Sequence, residues 1–395
     1  MQQFDQPDHS DLSLAMNFLA GDRSHDGDTA MVPALAQTLN YRILDEAHYE
    51  QISTPLNPNF YARRGNPNNH RLAQLLAKAE GVDTGLVFAS GMAAISTTMM
   101  ALLRAGDHVV AQSAHYIGTS EMAKTILPSY GVEVTIVDQT SVEAFAQAIR
   151  PNTKLIMLET PVNPLLTLTD LAAVTALARD KNILTFCDNT FATPFNQRPA
   201  EHGVDIVMHS ISKYIGGHHD LLGGAILSSR AIMERVWDRS MVFGTAGAPF
   251  NSWLALRGLR TLELRIARHN ANALALAAML EKHDAVARVF YPGLPTHPQH
   301  DLARKQMSGF GGLLTFELKD GLDAGKRLIK RLKFVENASS LGGVTSVVMQ
   351  PAALFGNRLS EEDLKAQGIA SGMIRFATGI EPTEELLEDV RQALS

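Results

Sequence analysis

Residues 209–224, "HSISKYIGGHHDLLGG", set one lysine, Lys213, among hydroxyls, glycines and histidines. They overlap "DIVMHS" (205–210), a short apolar run that reads as a buried strand. Lysine is ordinarily a solvated surface charge. At the end of a buried strand it loses water, its pKa falls, and the neutral amine can form a Schiff base with an aldehyde. Ser210 and Ser212 flank Ile211, so hydroxyl donors for a nearby phosphate stand beside that amine.

The surrounding sequence gives this loop a setting. From Asn66 to about Ser229, the apolar runs "GLVFAS", "HVVAQ", "VEVTIV", "KLIML", "NILTFC", "DIVMHS" and "GAILSS" alternate with helical stretches such as "NHRLAQLLAKAE" and "LAAVTALARDK". That alternation predicts an α/β fold with a mostly parallel sheet covered on both faces. The segment from Trp253 to His283 has helical periodicity and leads towards a C-terminal domain. There "GGLLTFEL" and "GMIRFATG" read as strands, and "PTEELLEDVRQAL" as a final helix.

Ligands of open α/β sheets bind beyond the carboxyl ends of the strands. Ser90 follows "LVFA", Asp188 follows "NILTFC", and Ser210 and Lys213 follow "DIVMH", so one crevice should receive all four. The turn "ASGMAA" (89–94) brings backbone N–H groups and a helix N-terminus to a phosphate, or is a plain strand-to-helix connection. It is neither a Walker loop nor a G-x-G-x-x-G fingerprint, which argues against nucleoside triphosphates and dinucleotides. Asp188 is costly to bury unless a cation meets it, either an arginine or a pyridinium nitrogen. At about 4 Å and an effective dielectric near 20, such a pair gains on the order of 4 kcal/mol before desolvation. A phosphate cradle, a buried carboxylate and a lysine are the parts a pyridoxal 5′-phosphate (PLP) site requires.

Composition narrows the classes. The 395 residues are 45% hydrophobic, enough for a large core. Lys and Arg number 35 against 41 Asp and Glu, for a net charge of −6, and no basic stripe points to nucleic acid. The polar start "MQQFDQPDHSDLSL" lacks the features of a signal peptide, and no apolar run reaches membrane-span length. The single cysteine, Cys187, reads as buried strand packing and fits a reducing cytoplasm. His209, His218, His219 and Asp220 lack a zinc-ligand spacing, so no metal is expected; His297 and His300 read as exposed loop residues.

Seven ordered motifs also carry a resemblance. Besides 209–224 they are "YARRGNPNN" (61–69), "ASGMAAI" (89–95), "ETPVNPLL" (159–166), "DNTFATP" (188–194), "LRGLRTLELR" (256–265) and "SLGGVTS" (340–346). Over nearly its whole length the chain resembles the Cys/Met-metabolism PLP-dependent enzymes, the cystathionine γ-synthase and γ-lyase type. The resemblance implies a fold-type-I, aminotransferase-like architecture and a homotetramer, a dimer of dimers with shared active sites. It implies an N-terminal arm (1–65) serving the neighbouring subunit, a PLP-binding domain (66–265) and a smaller α/β C-terminal domain (266–395). Lys213 then matches the lysine that carries PLP, and Asp188 the partner of the ring nitrogen. Gly91, Met92, Ser210 and Ser212 match phosphate donors, and Tyr116 the tyrosine that stacks on the ring and assists proton transfer. Tyr61 and Arg63 match residues reaching the neighbouring subunit's phosphate. Arg375 matches the clamp on the amino-acid α-carboxylate, with Asn163 and Ser340 in the same region.

Apart from Ser212, a phosphate-side position that keeps its hydroxyl, departures fall on the substrate side. Ser212 stands for a more usual threonine, Gly118 for the cysteine of methionine γ-lyases, Thr345 for a common glutamate and Asn251 for a common aspartate. "ALFGNRLS" (353–360) replaces a familiar M-T-H. The expected activity is γ-elimination from a γ-substituted amino acid, either cystathionine or methionine type or a C–O-linked analogue such as canavanine. The alternative is γ-replacement, as in cystathionine γ-synthase or an O-acylhomoserine sulfhydrylase.

Overall fold

The computed structural model describes residues 13–21, 30–355 and 369–395. The polar start through residue 12, and residues 356–360 of the "ALFGNRLS" departure, lie outside them. Seven strands form the central sheet: β1 (Thr84–Phe88), β2 (His108–Gln112), β3 (Glu133–Val137), β4 (Thr153–Glu159), β5 (Leu184–Asp188), β6 (Ile206–Ser210) and β7 (Gly224–Ser228). Their spatial order is β1-β7-β6-β5-β4-β2-β3. Adjacent pairs from β6 across to β3 are parallel, and β7 alone runs against both its neighbours. Every apolar run of the sequence between residues 85 and 229 became one of these strands.

Burial on both faces explains why those runs are continuously apolar. On one face Leu72 and Leu76 of the helix Pro67–Glu80, and Val174 of Leu171–Arg179, pack with Val110, Ile156 and Val207. On the other, Met99 of the helix Gly91–Leu102 and Val236 of Arg230–Phe243 pack with Val109, Phe186 and Met208. Cys187 is fully buried within this packing, as its position in the strand implied.

A second sheet follows, built from β8 (Val286–Phe290), β9 (Leu313–Leu318), β10 (Glu336–Asn337), β11 (Val347–Met349) and β12 (Met373–Ala377). Its order is β10-β11-β12-β9-β8. Strands β9 and β12 were legible. Strand β8 was not: it is an edge strand whose "VARVF" is only part-buried, so no clean alternation marks it. The fold is thus α/β with a mostly parallel central sheet and a smaller second sheet.

Two details correct the sequence reading. The helical stretch 253–283 divides into Pro249–Leu259 and Leu262–Leu280. At the break, buried Arg265 turns back: Nη1 donates to the Tyr214 carbonyl at 2.6 Å and Nη2 to that of Gly258 at 2.8 Å. A Cβ at Gly258 would lie 2.5 Å from the Ile215 carbonyl, so only glycine lets this helix meet the loop after Lys213 so closely. The second correction is His297, which is buried at 6% exposure, with Nδ1 accepting from the Gln299 amide at 3.2 Å. Burial moves its pKa down to about 4. His300 is also tied in, its Nδ1 at 2.8 Å from the Pro292 carbonyl. Proline-rich composition marked the loop but not its packing.

Replacing Arg265 by Met should leave the Tyr214 and Gly258 carbonyls without their donors. At about 1–3 kcal/mol for each of the two losses, a destabilisation of about 2–6 kcal/mol is expected, read as a lower urea midpoint at unchanged slope.

Candidate active site

The carboxyl ends of β4, β5 and β6 gather the ionisable groups. Asp188 closes β5 and is 8% exposed. Its Oδ1 accepts from the Thr190 amide at 2.9 Å, and among the described residues no arginine or lysine pairs with it. Burial, then the like charge of Glu159, raise its pKa to about 6; the Thr190 hydrogen bonds and His209 oppose the rise. Ser210 closes β6, and its amide donates to the Thr190 hydroxyl at 2.8 Å, so Thr190 spans the two strand ends.

Lys213 stands one turn beyond Ser210. Its Nζ donates to Ser340 Oγ at 2.7 Å. Burial lowers its pKa, the Arg375 guanidinium adds to the shift, and Asp188 works against it. Arg375 lies on β12 and approaches Ser340 from the other side, donating from Nη2 to its carbonyl at 2.6 Å. Burial moves Arg375 down to about 10, and its Nε has no partner. Ser340 therefore joins the two cations. It does so with φ at +76°, a left-handed conformation costly for a residue with a Cβ and one that clusters at functional sites. Asn163 presents a buried Oδ1 without a partner.

The phosphate-type features converge as well. Ser90 caps the 12-residue helix Gly91–Leu102, its side chain accepting from the Ala93 amide at 3.0 Å. A Cβ at Gly91 would stand 3.4 Å from Ser210 Oγ, so the helix start and that hydroxyl lie side by side. Ser212 is occupied differently: its Oγ accepts from the Gly223 amide at 3.0 Å. Met92, Tyr116 and Gly118 form a group, because a Cβ at Gly118 would fall 2.7 Å from Met92 Sδ and 3.0 Å from Tyr116 Cε1.

Tyr61 and Arg63 sit elsewhere. Arg63 Nη1 donates to the Met241 carbonyl at 2.6 Å and its guanidinium lies 5.5 Å from the Tyr61 ring centre. No hydrogen bond or ion pair among the described residues joins either to Lys213, Asp188 or Ser210. The histidine cluster disperses: His209 meets Glu80, His218 bonds the Gly216 carbonyl, and a Cβ at Gly343 would overlap the His219 ring. Among the described residues no group of three or more His, Cys, Asp or Glu is placed to hold a metal.

Sequence reasoning missed Glu159 and His115. Glu159 closes β4, is 4% exposed, and accepts from the Tyr116 amide at 2.6 Å. Burial raises it to about 7, opposed by that hydrogen bond. His115 Nδ1 lies 3.8 Å from Glu159, and neither ring nitrogen has a hydrogen-bond partner. Burial holds it neutral, with its pKa down at about 3. Glu159 lay within the "ETPVNPLL" motif, so its place at a strand end was an available signal.

A flat phosphorylated pyridine aldehyde fits what is present: an amine of lowered pKa, a buried carboxylate without an arginine, a glycine helix start beside a hydroxyl, and an unpaired buried amide oxygen. The model of the family described as Cys/Met metabolism PLP-dependent enzyme matches residues 16–395. The chain belongs to this family. Its cofactor is pyridoxal 5′-phosphate. L-Methionine gamma-lyase of Fusobacterium nucleatum subsp. polymorphum is 38% identical over 337 residues, 85% of each chain. Cystathionine beta-lyase of Lactococcus lactis subsp. cremoris is 40% identical over 335 residues, 85% of this chain and 88% of that one. The crystal structure of cystathionine gamma synthase from Xanthomonas oryzae pv. oryzae, in complex with aminoacrylate and cysteine, superposes with a TM-score of 0.91. It shares 35% identity and covers 97% of this chain and 98% of that one. Members of the Cys/Met-metabolism PLP family with different reactions are thus about equally similar to this chain.

Asp188 and Glu159 have folded pKa values near 6 and 7, above their ordinary 3.8 and 4.5. The stability they contribute is full below about pH 4 and is lost as pH rises towards 7. In the cofactor-free protein, Glu159→Gln should flatten the fall in stability between pH 5 and 7, by up to ~1.4 kcal/mol per pH unit for one proton. Urea midpoints across that range measure it; an unchanged slope would place Glu159's titration elsewhere.

Proposed function

We propose that this family member is a PLP-dependent lyase that removes a γ-substituent from an amino acid, of the cystathionine or methionine type or a C–O-linked analogue such as canavanine. The observation that carries the reading is the convergence of Lys213 Nζ and Arg375 on Ser340, at 2.7 and 2.6 Å. An amine able to move protons and a planar cation able to grip a carboxylate are thereby held on one residue. Bound PLP supplies an aldehyde for the amino group and a ring that withdraws electrons from the Cα–H bond.

The chain's own groups take the following parts. Lys213 carries the cofactor and, once released, moves protons at Cα and Cβ. Asp188 holds the ring nitrogen protonated, which its burial without a cation of its own favours. Gly91, Met92, Ser210 and Ser212 receive the phosphate. For Ser212 this means turning its one O–H away from the Gly223 carbonyl, to which it donates at 3.3 Å. Tyr116 covers the ring, its backbone held by Glu159. Arg375 orients the α-carboxylate, with Asn163 and Ser340 beside it. The buried walls keep water from the amine.

A γ-replacement transferase is the second reading, favoured by the structural likeness to a cystathionine gamma synthase along nearly the whole chain. Both share the Cα and Cβ proton transfers and differ in whether water or a nucleophile completes the reaction. Because Gly118, Asn251 and Thr345 depart from the relatives' usual residues, methionine and cystathionine should be turned over less well than a γ-substituted amino acid with a better leaving group. The test is a panel of γ- and β-substituted amino acids given to the holoenzyme, with and without thiol nucleophiles, and product identification. Release of ammonia and the four-carbon 2-oxo acid that retains Cγ, without thiol, supports the lyase. Turnover that requires a thiol replaces it with the transferase, and products of Cβ cleavage overturn both. Lys213→Ala should lose at least ~10²–10⁴-fold in rate, and borohydride should fix PLP on the peptide containing Lys213.

We further infer a homotetramer, a dimer of dimers, in which Tyr61 and Arg63 serve the neighbouring subunit's phosphate. The arm supports this with apolar side chains left in water: Met31 is 83% exposed, Leu44 72% and Leu39 58%. Among the described residues no helix is long and apolar enough to cross a membrane. The lone buried thiol fits a cytoplasmic location. Hybrids of two inactive variants, Arg63→Ala and Lys213→Ala, should regain activity, because one shared site then has both residues intact. Verified hybrids without activity would mean self-contained sites.

A further inference from the structure

Behind β5 and β6, on the face away from Ser210, lies a buried polar cluster that makes no contact with the groups assigned to cofactor or substrate. Glu80 ends the helix Pro67–Glu80 and has no exposure; Asn189 has none and His209 1%. One carboxylate oxygen takes both contacts: Glu80 Oε1 is 2.6 Å from His209 Nε2 and accepts from Asn189 Nδ2 at 2.8 Å. Glu80 Oε2 and His209 Nδ1 have no partner, so Oε1 is the only point of attachment. Asn189 is further fixed by Gln197, which donates to Asn189 Oδ1 at 3.1 Å.

The chain positions give the cluster its meaning. Asn189 follows Asp188, and His209 precedes Ser210. On the front of the sheet Thr190 links Asp188 to Ser210, donating its amide to the carboxylate at 2.9 Å and accepting the Ser210 amide at 2.8 Å. On the back, Glu80 links their neighbours. The two strand ends are therefore pinned on both faces. A hydrophobic core needs no carboxylate here: a well-packed apolar pair of similar volume is often as stable as a buried ion pair.

We propose that Glu80 is a positioning residue for the cofactor. Its carboxylate fixes the spacing of Asp188 and Ser210, and so sets how well the ring nitrogen and the phosphate are met together. This rests on the reading of Asp188 and Ser210 as cofactor contacts. The experiment titrates PLP into the cofactor-free full chain, reading affinity by equilibrium dialysis. Glu80→Gln keeps an oxygen acceptor for both donors and should bind within about threefold of the unaltered protein. Glu80→Leu/His209→Leu removes both ends of the pair and should bind at least tenfold more weakly. If the double variant does not fold, His209→Leu takes its place with the same expected direction. Val390→Ala, a cavity in the helix Thr383–Leu394, is a destabilised control that should bind PLP normally. The proposal is overturned if the leucine variant binds PLP within threefold of the unaltered protein, or if Glu80→Gln loses as much as it does. Asp188→Ala and Ser210→Ala in the same titration separate the two readings. If they too bind normally, the assignment of the cofactor contacts fails; if they weaken binding while the Glu80 variants do not, only the Glu80 proposal fails.

Discussion

Charges taken out of water at the carboxyl ends of β4, β5 and β6 must find partners or lose their charge, and this requirement shapes the site. On one side stand two carboxylates, Asp188 and Glu159, both raised by burial, with Glu159 adding to the cost of ionising Asp188. On the other stand two cations, Lys213 and Arg375, each pushed below its ordinary pKa by burial, with Arg375 adding to the shift of Lys213. In the proposed reading, a pyridinium nitrogen answers Asp188 and a substrate carboxylate answers Arg375, so cofactor and substrate each supply a charge the fold leaves unmet. Glu159 is not answered in this way. Burial raises it further than Asp188, to about 7, so Asp188 is the easier of the two to ionise.

Holding Lys213 in that place takes both sheets. Arg265 grips the Tyr214 carbonyl from the long helix, and Ser340 receives the amine from the second sheet's approach. The Val344 amide donates to the Gly217 carbonyl at 2.9 Å, stitching the two loops together. A Cβ at Gly342 would stand 2.7 Å from the Tyr214 amide nitrogen, and its φ is +76°, so glycine is demanded there twice over. Buried apolar residues of both sheets, among them Val207 and Phe316, belong to one contiguous core. A shift of one sheet against the other would thus move Arg375 relative to Lys213.

What the sequence disclosed follows from this geometry. Continuous apolar runs signalled β1 to β7, because strands buried on both faces leave a dense local pattern. Asp188, Ser210 and Lys213 were readable because each follows such a run directly. Glu80 and His209 were not, since they are 129 positions apart and their pairing depends on a helix packing across the sheet. Locally, His209 looked like one of several nearby histidines. In a strand its neighbours alternate faces, so it points away from Ser210 and into the core. His297 was misread for a related reason: loop composition says nothing of what later packs over it. Tyr61 and Arg63 mark another limit: local pattern gives them no role, and the one proposed for them depends on a second chain.

The departures on the substrate side differ in what they change. Asn251 Nδ2 donates to the Leu222 carbonyl at 2.8 Å. An ionised aspartate has no N–H to give, so this change anchors the loop following the Lys213 stretch and need not touch substrate at all. Gly118 acts on shape. Any side chain there would press on Met92 Sδ and the Tyr116 ring as they stand, and only the flexible methionine can yield cheaply. Glycine lets Tyr116 and Met92 close together, moving the wall beside the proposed ring position. Thr345 is exposed, whereas its neighbour Ser346 is buried and donates from Oγ to Glu381 at 2.9 Å. Of the three, Gly118 is therefore the residue that, in the proposed reading, bears most directly on which leaving group fits, through the aromatic ring it allows to approach.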